Sequence, residues 1–225
     1  MEIVQAVMTR RSIRAFHDSP VSLELLRTVL QTALRAPSSG NSQPWELYVV
    51  SGKILKKISD DNVGQFSAGY KAQFEVPRSE PIGTYRDRHV ALGTELYRLM
   101  NIDRENRVER TKWIHWGLRY FGAPVAIFVT VDRSITPSFA GFDVGLLAQN
   151  ICLVALNYGL GTCIELQGVA YPEVIRKYAA IPGSKAIYVS IAIGYPDLDH
   201  PANMIATPRE PLEKVATWCG FIRDS

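Results

Sequence analysis

Guanidinium groups at opposite ends of the chain, and two polar loops between them, carry what chemistry this sequence offers. Arg10-Arg11-Ser12-Ile13-Arg14 places three forked cations and a hydroxyl within one short segment. Arginine presents paired N–H donors that match an oxyanion, so the cluster can clamp a phosphate; a solvated basic face is the competing reading. Ile13, with Ala15 and Phe16 just beyond, indicates a backbone anchored from below. Near the other end, Arg209 stands between Pro208 and Pro211, where a stiff extended segment can carry it to an anion.

Pro37-Ser38-Ser39-Gly40-Asn41-Ser42-Gln43-Pro44-Trp45 packs hydroxyls, amides and one glycine between rigidifying prolines. Such a loop holds donors and acceptors in fixed directions, suited to a polar heterocycle or a sugar chain, although turn-formers between two elements need no ligand. Gly159-Leu160-Gly161-Thr162-Cys163-Ile164-Glu165 is the other glycine-bearing segment. A dinucleotide fingerprint would require glycine where Ile164 stands and a strand ahead of it, so that reading is rejected. Cys163 as nucleophile would want a histidine base, yet His17, His89, His115 and His200 sit in no partner motif. Small packing is the better account of Cys163. No spacing of Cys and His points to a metal.

These residues sit on an ordinary globular frame. Net charge is +3 on 225 residues, with 47% hydrophobic and 21% charged, which excludes a disordered or disulfide-scaffold chain and gives no ground for nucleic acid. The most apolar window, Gly141 to Leu160, is broken by Asp143, Gln149, Asn150 and Asn157, and describes a buried helix better than a membrane span. Cys152, Cys163 and Cys219 cannot all pair, and Met1-Glu2-Ile3 opens no signal region, so a reduced, cytoplasmic protein is expected.

Apolar periodicity predicts helices over Ile3–Thr9, from an N-cap at Ser22 to the stop at Pro37, and over Gly52–Asp61, Arg88–Met100, Arg104–Tyr120 and Phe142–Tyr158. Strands are predicted at Trp45–Val50, Pro124–Val131 and Ala186–Ile193. Between Asn62 and Asp87 the pattern dissolves, so 62–120 reads as a lid or substrate-pocket region, and 198–225 as an extended C-terminal arm. Helices and strands without strict alternation argue for an α+β fold, taken as one domain over 1–225.

In order, Arg-Arg-Ser-x-Arg, Pro-Ser-Ser-Gly-Asn-Ser-Gln-Pro-Trp, Gly-Leu-Gly-Thr-Cys and Arg-x-Pro resemble the nitroreductase family of FMN-dependent oxidoreductases, and span nearly the whole chain. The stretch from Tyr85-Arg86 to Ile102 and the ending Trp218-Cys219-Gly220-Phe221 resemble its nitrobenzoate-reductase branch. The resemblance implies a central, mostly antiparallel sheet flanked by helices, an intertwined homodimer and an FMN site at each subunit interface. It assigns Arg10, Arg11, Ser12 and Arg209 to the phosphate and ribityl chain, and Arg14 to the flavin N1/O2 edge. Pro37, Ser38, Ser39 and Asn41 would come from the partner subunit, and backbone N–H groups near Ile164 and Glu165 would face N5, although several relatives carry Pro-Gln there. NADH or NADPH would reduce the flavin and a nitroaromatic or quinone would reoxidise it in a ping-pong cycle, with no catalytic side chain. Tyr70, Phe74 and Tyr85 would stack on the substrate, with Arg78, Arg86 or Arg88 meeting a carboxylate or a cofactor phosphate; ordinary packing or solvation competes for each. Reductive dehalogenation is disfavoured, because Glu75 and Glu80 are followed four residues on by Ser79 and Thr84 rather than Tyr. A flavin-destroying activity is disfavoured by the long 62–120 region. Outside the family, a colourless anion binder and a Cys163 hydrolase are the competing classes.

Overall fold

A computed structural model describes residues 1–221. The last four positions of the expected arm, 222–225, lie outside the described residues. Four strands form one antiparallel sheet in the order β1-β2-β4-β3: β1 (Trp45–Ser51), β2 (Val125–Asp132), β3 (Gly161–Glu165) and β4 (Lys185–Gly194). Among the described residues, eight α-helices accompany them: α1 (Ile3–Thr9), α2 (Leu23–Ala33), α3 (Gly52–Ser67), α4 (Thr84–Leu99), α5 (Arg107–Leu118), α6 (Pro137–Asn157), α7 (Pro172–Ala179) and α8 (Leu212–Val215).

The two central strands are buried on both faces, and their side chains divide between two cores by the two-residue period of a strand. From β2, Val125, Ile127, Val129 and Val131 join the core beneath α2 and α6, while Ala126 and Phe128 point to the core of α3, α5 and α7. On β4 the parity reverses: Ala186 and Tyr188 share the α6 face with Val189, Ile191 and Ile193. The register shift opposite Val129/Thr130 supplies the extra residue that makes this reversal. Each fully buried Ile or Val here is worth about 1.5–3 kcal/mol in burial.

Ser22 caps α2, its hydroxyl accepting from Leu25 N at 3.2 Å, with Glu24 in the first turn. The apolar α6 is long enough to cross a membrane by length and composition, but its Val144, Leu147, Ala148, Ile151 and Ala155 are buried in the core. Asp143, which interrupts its apolar run, is buried and accepts from Ser39 N at 3.3 Å.

Several boundaries differ from the sequence expectation. Helix α3 continues to Ser67, so part of the stretch expected to be patternless is helical. The apolar stripe is interrupted there by Asn62, which is fully buried and donates to Tyr120 Oη at 3.2 Å. A polar residue in a core position breaks the periodicity without breaking the helix. Tyr120 and Leu118, inside the expected lid, are likewise core residues. Helix α6 begins at Pro137, five residues before Phe142, because Phe139 and Phe142 both face outward and hide the helical period. Strand β3 and helix α7 were not anticipated, although α7 carries Pro172 at its start, Glu173 in its first turn and Arg176 and Lys177 in its last.

Candidate functional site

The segment after α1 runs beside the outer edge of β3. Ser12 forms an isolated parallel bridge with Thr162, and Ile13 N donates to Thr162 O at 2.9 Å. Gly161 allows this approach: a Cβ there would lie 2.7 Å from Ile13 Cγ1 and 3.1 Å from Pro196 Cβ. Beyond Thr162 no further strand covers β3 among the described residues, so Ile164 and Glu165 lie on an open sheet edge. Ile164 is 40% exposed there.

The backbone of Arg14 is held from two sides. Its N–H donates to Asn203 Oδ1 at 2.6 Å, and its carbonyl accepts from Trp116 Nε1 on α5 at 2.8 Å. Asn203 is fully buried and donates through Nδ2 to Ala15 O at 2.9 Å and Asp197 O at 2.7 Å. This amide, which the sequence reading missed, fastens the chain after β4 to the arginine segment. The strap then carries Arg209 to the same place.

Arg10, Arg11 and Arg209 line one cavity of about 860 Å³ together with Thr207, Leu160, Gly161 and Ile205. Arg209 donates to Thr207 O and Oγ1 at 3.1 and 2.9 Å and to Pro208 O at 3.0 Å. Among the described residues the Arg14 guanidinium has only a long contact to Ser12 O, at 3.4 Å. Among the described residues no carboxylate pairs with Arg10, Arg11, Arg14 or Arg209. Three cations lining one cavity, with no carboxylate paired to them among the described residues, form a standing anion site, because their mutual repulsion is relieved by a bound negative charge.

Pro37, Ser38 and Ser39 line a different cavity, of about 760 Å³, with Phe139, Phe142, Asp143 and Leu146 of α6. The loop is shaped internally: Gln43 N donates to Ser38 Oγ at 2.9 Å, and Gly40, Asn41 and Gln43 all take positive φ. Within one chain, then, Pro37, Ser38, Ser39 and the exposed Asn41 are not brought to the arginine cavity.

The expected substrate residues are scattered. Tyr70 lines a third hollow with Asp61, Gln65 and Tyr171. Phe74 packs on the α3–α5–α7 core, with the Arg78 guanidinium 4.0 Å above its ring centroid. Tyr85 and Arg86 are exposed on the first turn of α4. Arg88 pairs with Glu210 at 3.0 Å, tying α4 to the strap just beside Arg209. Glu75 faces away from all of these: it accepts twice from Arg176 Nη2 at 2.7 Å and once from Ile187 N at 2.7 Å, and it also pairs with Arg133. Burial raises its proton affinity, but these donors hold its carboxyl below the usual carboxylate range.

Two groups on β3 are shifted in the other direction. Burial pushes the Cys163 thiol up to about 12, with the nearby Glu165 adding to it, so it offers no thiolate nucleophile. Burial also raises Glu165 well above the usual carboxylate range, opposed only by the charge of Arg14.

A helix-flanked antiparallel sheet with an arginine-lined hollow against its open edge defines a family, and comparison with known proteins gives the same answer. The Nitroreductase family model matches residues 7–195, and the chain belongs to that family. It is 32% identical over 224 residues to a 4-nitrobenzoate reductase from Nocardioides sp. (strain LMS-CY), covering 94% of this chain and 87% of that protein. A 4-nitrobenzoate reductase from Pseudomonas putida is 28% identical, covering 96% and 95%. The crystal structure of the FMN and NADPH-dependent nitroreductase NfnB from sphigopyxis sp. strain HMH superposes with a TM-score of 0.93 at 30% identity, covering 98% of this chain and all of that one. The FMN-dependent NfnB from Mycobacterium smegmatis, solved with NADPH, gives a TM-score of 0.90 at 25% identity, covering 97% and 100%.

Proposed function

We propose that this protein is an FMN-dependent oxidoreductase that passes reducing equivalents from NADPH or NADH to nitroaromatic compounds, nitrobenzoates among them, or to quinones. The observation that carries this is the convergence of Arg10, Arg11 and Arg209, without acidic partners, on one cavity against the open edge of β3. Relatives named for nitrobenzoate reduction and neighbours named for FMN and NADPH support the cofactor and the acceptor class.

In this reading Arg10, Arg11, Ser12 and Arg209 hold the FMN phosphate and ribityl chain, while Arg14 meets the electron-rich edge of the ring. Bound FMN supplies a two-electron carrier at N5, which removes the need for a side-chain nucleophile. The chain's own tasks are then to bind, to orient and to set charge. In this reading the backbone near Ile164 and Glu165 faces the ring, with the Ile164 N–H on the edge of β3 that no strand covers among the described residues. Asn203 and Trp116 hold the Arg14 backbone in place, and from there its guanidinium would favour the negative charge of reduced flavin. Tyr70, Phe74, Tyr85 and Arg86 would act, in this reading, through the substrate side of the pocket.

The active unit is a homodimer. Ile3, Val4 and Met8 of α1, Phe139 and Phe142 of α6, and Trp218 of the arm are all more than half exposed, an apolar area that a soluble monomer rarely shows. The loop bearing Pro37, Ser38, Ser39 and Asn41 lies apart from its own arginine cavity and would complete the partner's. Residues 1–225 then act as one FMN-binding unit. Equilibrium binding of FMN against riboflavin tests the site: tight FMN and weak riboflavin are expected, and equal affinities would contradict a phosphate clamp.

A further inference from the structure

The carboxyl group of Glu165 has no task in the reading above, which uses only its backbone. Its enclosure is unusual. Oε1 and Oε2 are both shut off from solvent, and neither has a hydrogen-bond partner. The closure is complete within one chain, so a donor from a second protomer or from a ring on the outer edge of β3 would have to displace protein groups to reach it. An ionised carboxylate held this way forfeits its hydration with nothing in return, whereas a carboxylic acid forfeits far less.

The groups packed around Glu165 are neutral, and the charge of Arg14 alone favours the ionised form. From its own strand comes Cys163, a neutral thiol backed by the buried Cys152 of α6. From the turn after α5 comes Tyr120, whose hydroxyl is committed: it donates to Gly168 O at 2.9 Å and accepts from Asn62 Nδ2 at 3.2 Å. From β4 comes Ser190, whose hydroxyl donates to the Glu165 backbone carbonyl at 3.0 Å. A Cβ at Gly168 would collide with Ser190 Oγ and the Tyr120 ring, so this side is closely packed. The segment after α1 contributes Arg14, the one nearby cation, and among the described residues it forms no ion pair with Glu165.

We propose that Glu165 is an uncharged carboxylic acid sealed behind the flavin-facing strand, and that its neutrality leaves the whole positive charge of Arg14 to the pyrimidine edge of the ring. The inference rests on the FMN reading given above. A carboxylate at this position would draw the field of Arg14 inward and oppose the negative charge that reduced flavin carries. The acid fills the same space and leaves that charge stabilised. Glu165 is thus a positioning residue, acting on the flavin potential through Arg14.

Infrared difference spectra of the full chain against Glu165→Gln at neutral pH, taken before and after FMN loading, test the charge state. The wild type is expected to show a protonated-carboxyl band that the variant lacks. Loss of an ionised-carboxylate band instead would overturn the proposal. With FMN bound, the midpoint potentials of the two proteins should coincide at neutral pH. At alkaline pH the wild type alone should fall further, as the carboxyl ionises; a raised potential in the variant at neutral pH would mean that a negative charge had been removed, and would refute it. Should Glu165→Gln not fold, the wild-type band decides: it persists above neutral pH if the proposal holds, and titrates in the ordinary carboxylate range if it does not. Failure to bind FMN would overturn the functional reading and the flavin half of the proposal, while the band would still judge the carboxyl by itself.

Discussion

Asn203 Oδ1 accepts the backbone N–H of Arg14 at 2.6 Å, across 189 residues of chain. Through this bond, and the two that its Nδ2 donates, the side chain sets where the strap turns and hence where Arg209 arrives. The arginine site is therefore assembled by a neutral amide rather than by the charges themselves, which repel one another.

Replacing Asn203 with Leu should remove three hydrogen bonds, leaving Arg14 N unpaired, Ala15 O with only the Asp197 N–H at 3.1 Å and Asp197 O with only the His200 N–H at 3.4 Å. One buried backbone N–H left unpaired costs roughly 1–3 kcal/mol and each of the two other lost bonds roughly 0.5–1.5 kcal/mol, so a loss of about 3 kcal/mol is expected in urea unfolding, together with weaker FMN retention. A variant of unchanged stability would show that the clamp is not structural.

Arg209→Ala and Arg10→Ala should each weaken FMN retention by about 10- to 100-fold, because a hydrogen bond to a charged group is worth roughly 1.5–3 kcal/mol. Fluorescence titration with FMN measures it. The effect should shrink for riboflavin, which lacks the phosphate; an equal effect on both would remove these residues from the phosphate.

Glu75 should govern acid stability. Its folded proton affinity is below that of the unfolded chain, so it stabilises the fold above its unfolded pKa and loses that contribution as pH falls through the lower folded value. Glu75→Gln should destabilise the protein by about 3 kcal/mol at neutral pH, since it removes the buried carboxylate from Arg176, 10% exposed, and leaves it only the exposed Glu173 at 3.5 Å. The variant should also lose part of the wild type's drop in stability at acid pH, as read by thermal unfolding from neutral pH downward. Parallel pH profiles would exclude Glu75 as the source.

Cys163→Ala should retain most turnover, since its thiol stays protonated at neutral pH and its side chain is packing. Complete loss of activity in a folded, FMN-loaded variant would restore the nucleophile reading.

Much of the core was legible in the chain. Val125 to Val131 and Ala186 to Ile193 announce buried strands by β-branched composition, and Ser22 and Pro37 bracket α2 by their backbone chemistry. The Arg10–Arg14 cluster and Arg209 were visible as residues, and their convergence was implied only by family likeness. What brings them together is long-range: Asn203, Trp116 and Gly161 look unremarkable in sequence, because their work depends on what they meet. The same holds for Asn62, whose polar side chain concealed the continuation of α3. Glu165 could be named as a site residue, yet the burial of its carboxyl comes from Tyr120, Gly168 and β4, which no local pattern connects.

The most direct measurement is anaerobic absorbance spectroscopy of the FMN-loaded protein. Addition of NADPH or NADH should bleach the yellow flavin band, and 4-nitrobenzoate should then restore it stoichiometrically. A protein that binds no FMN, or whose bound flavin keeps its colour with both nicotinamides, would contradict the account.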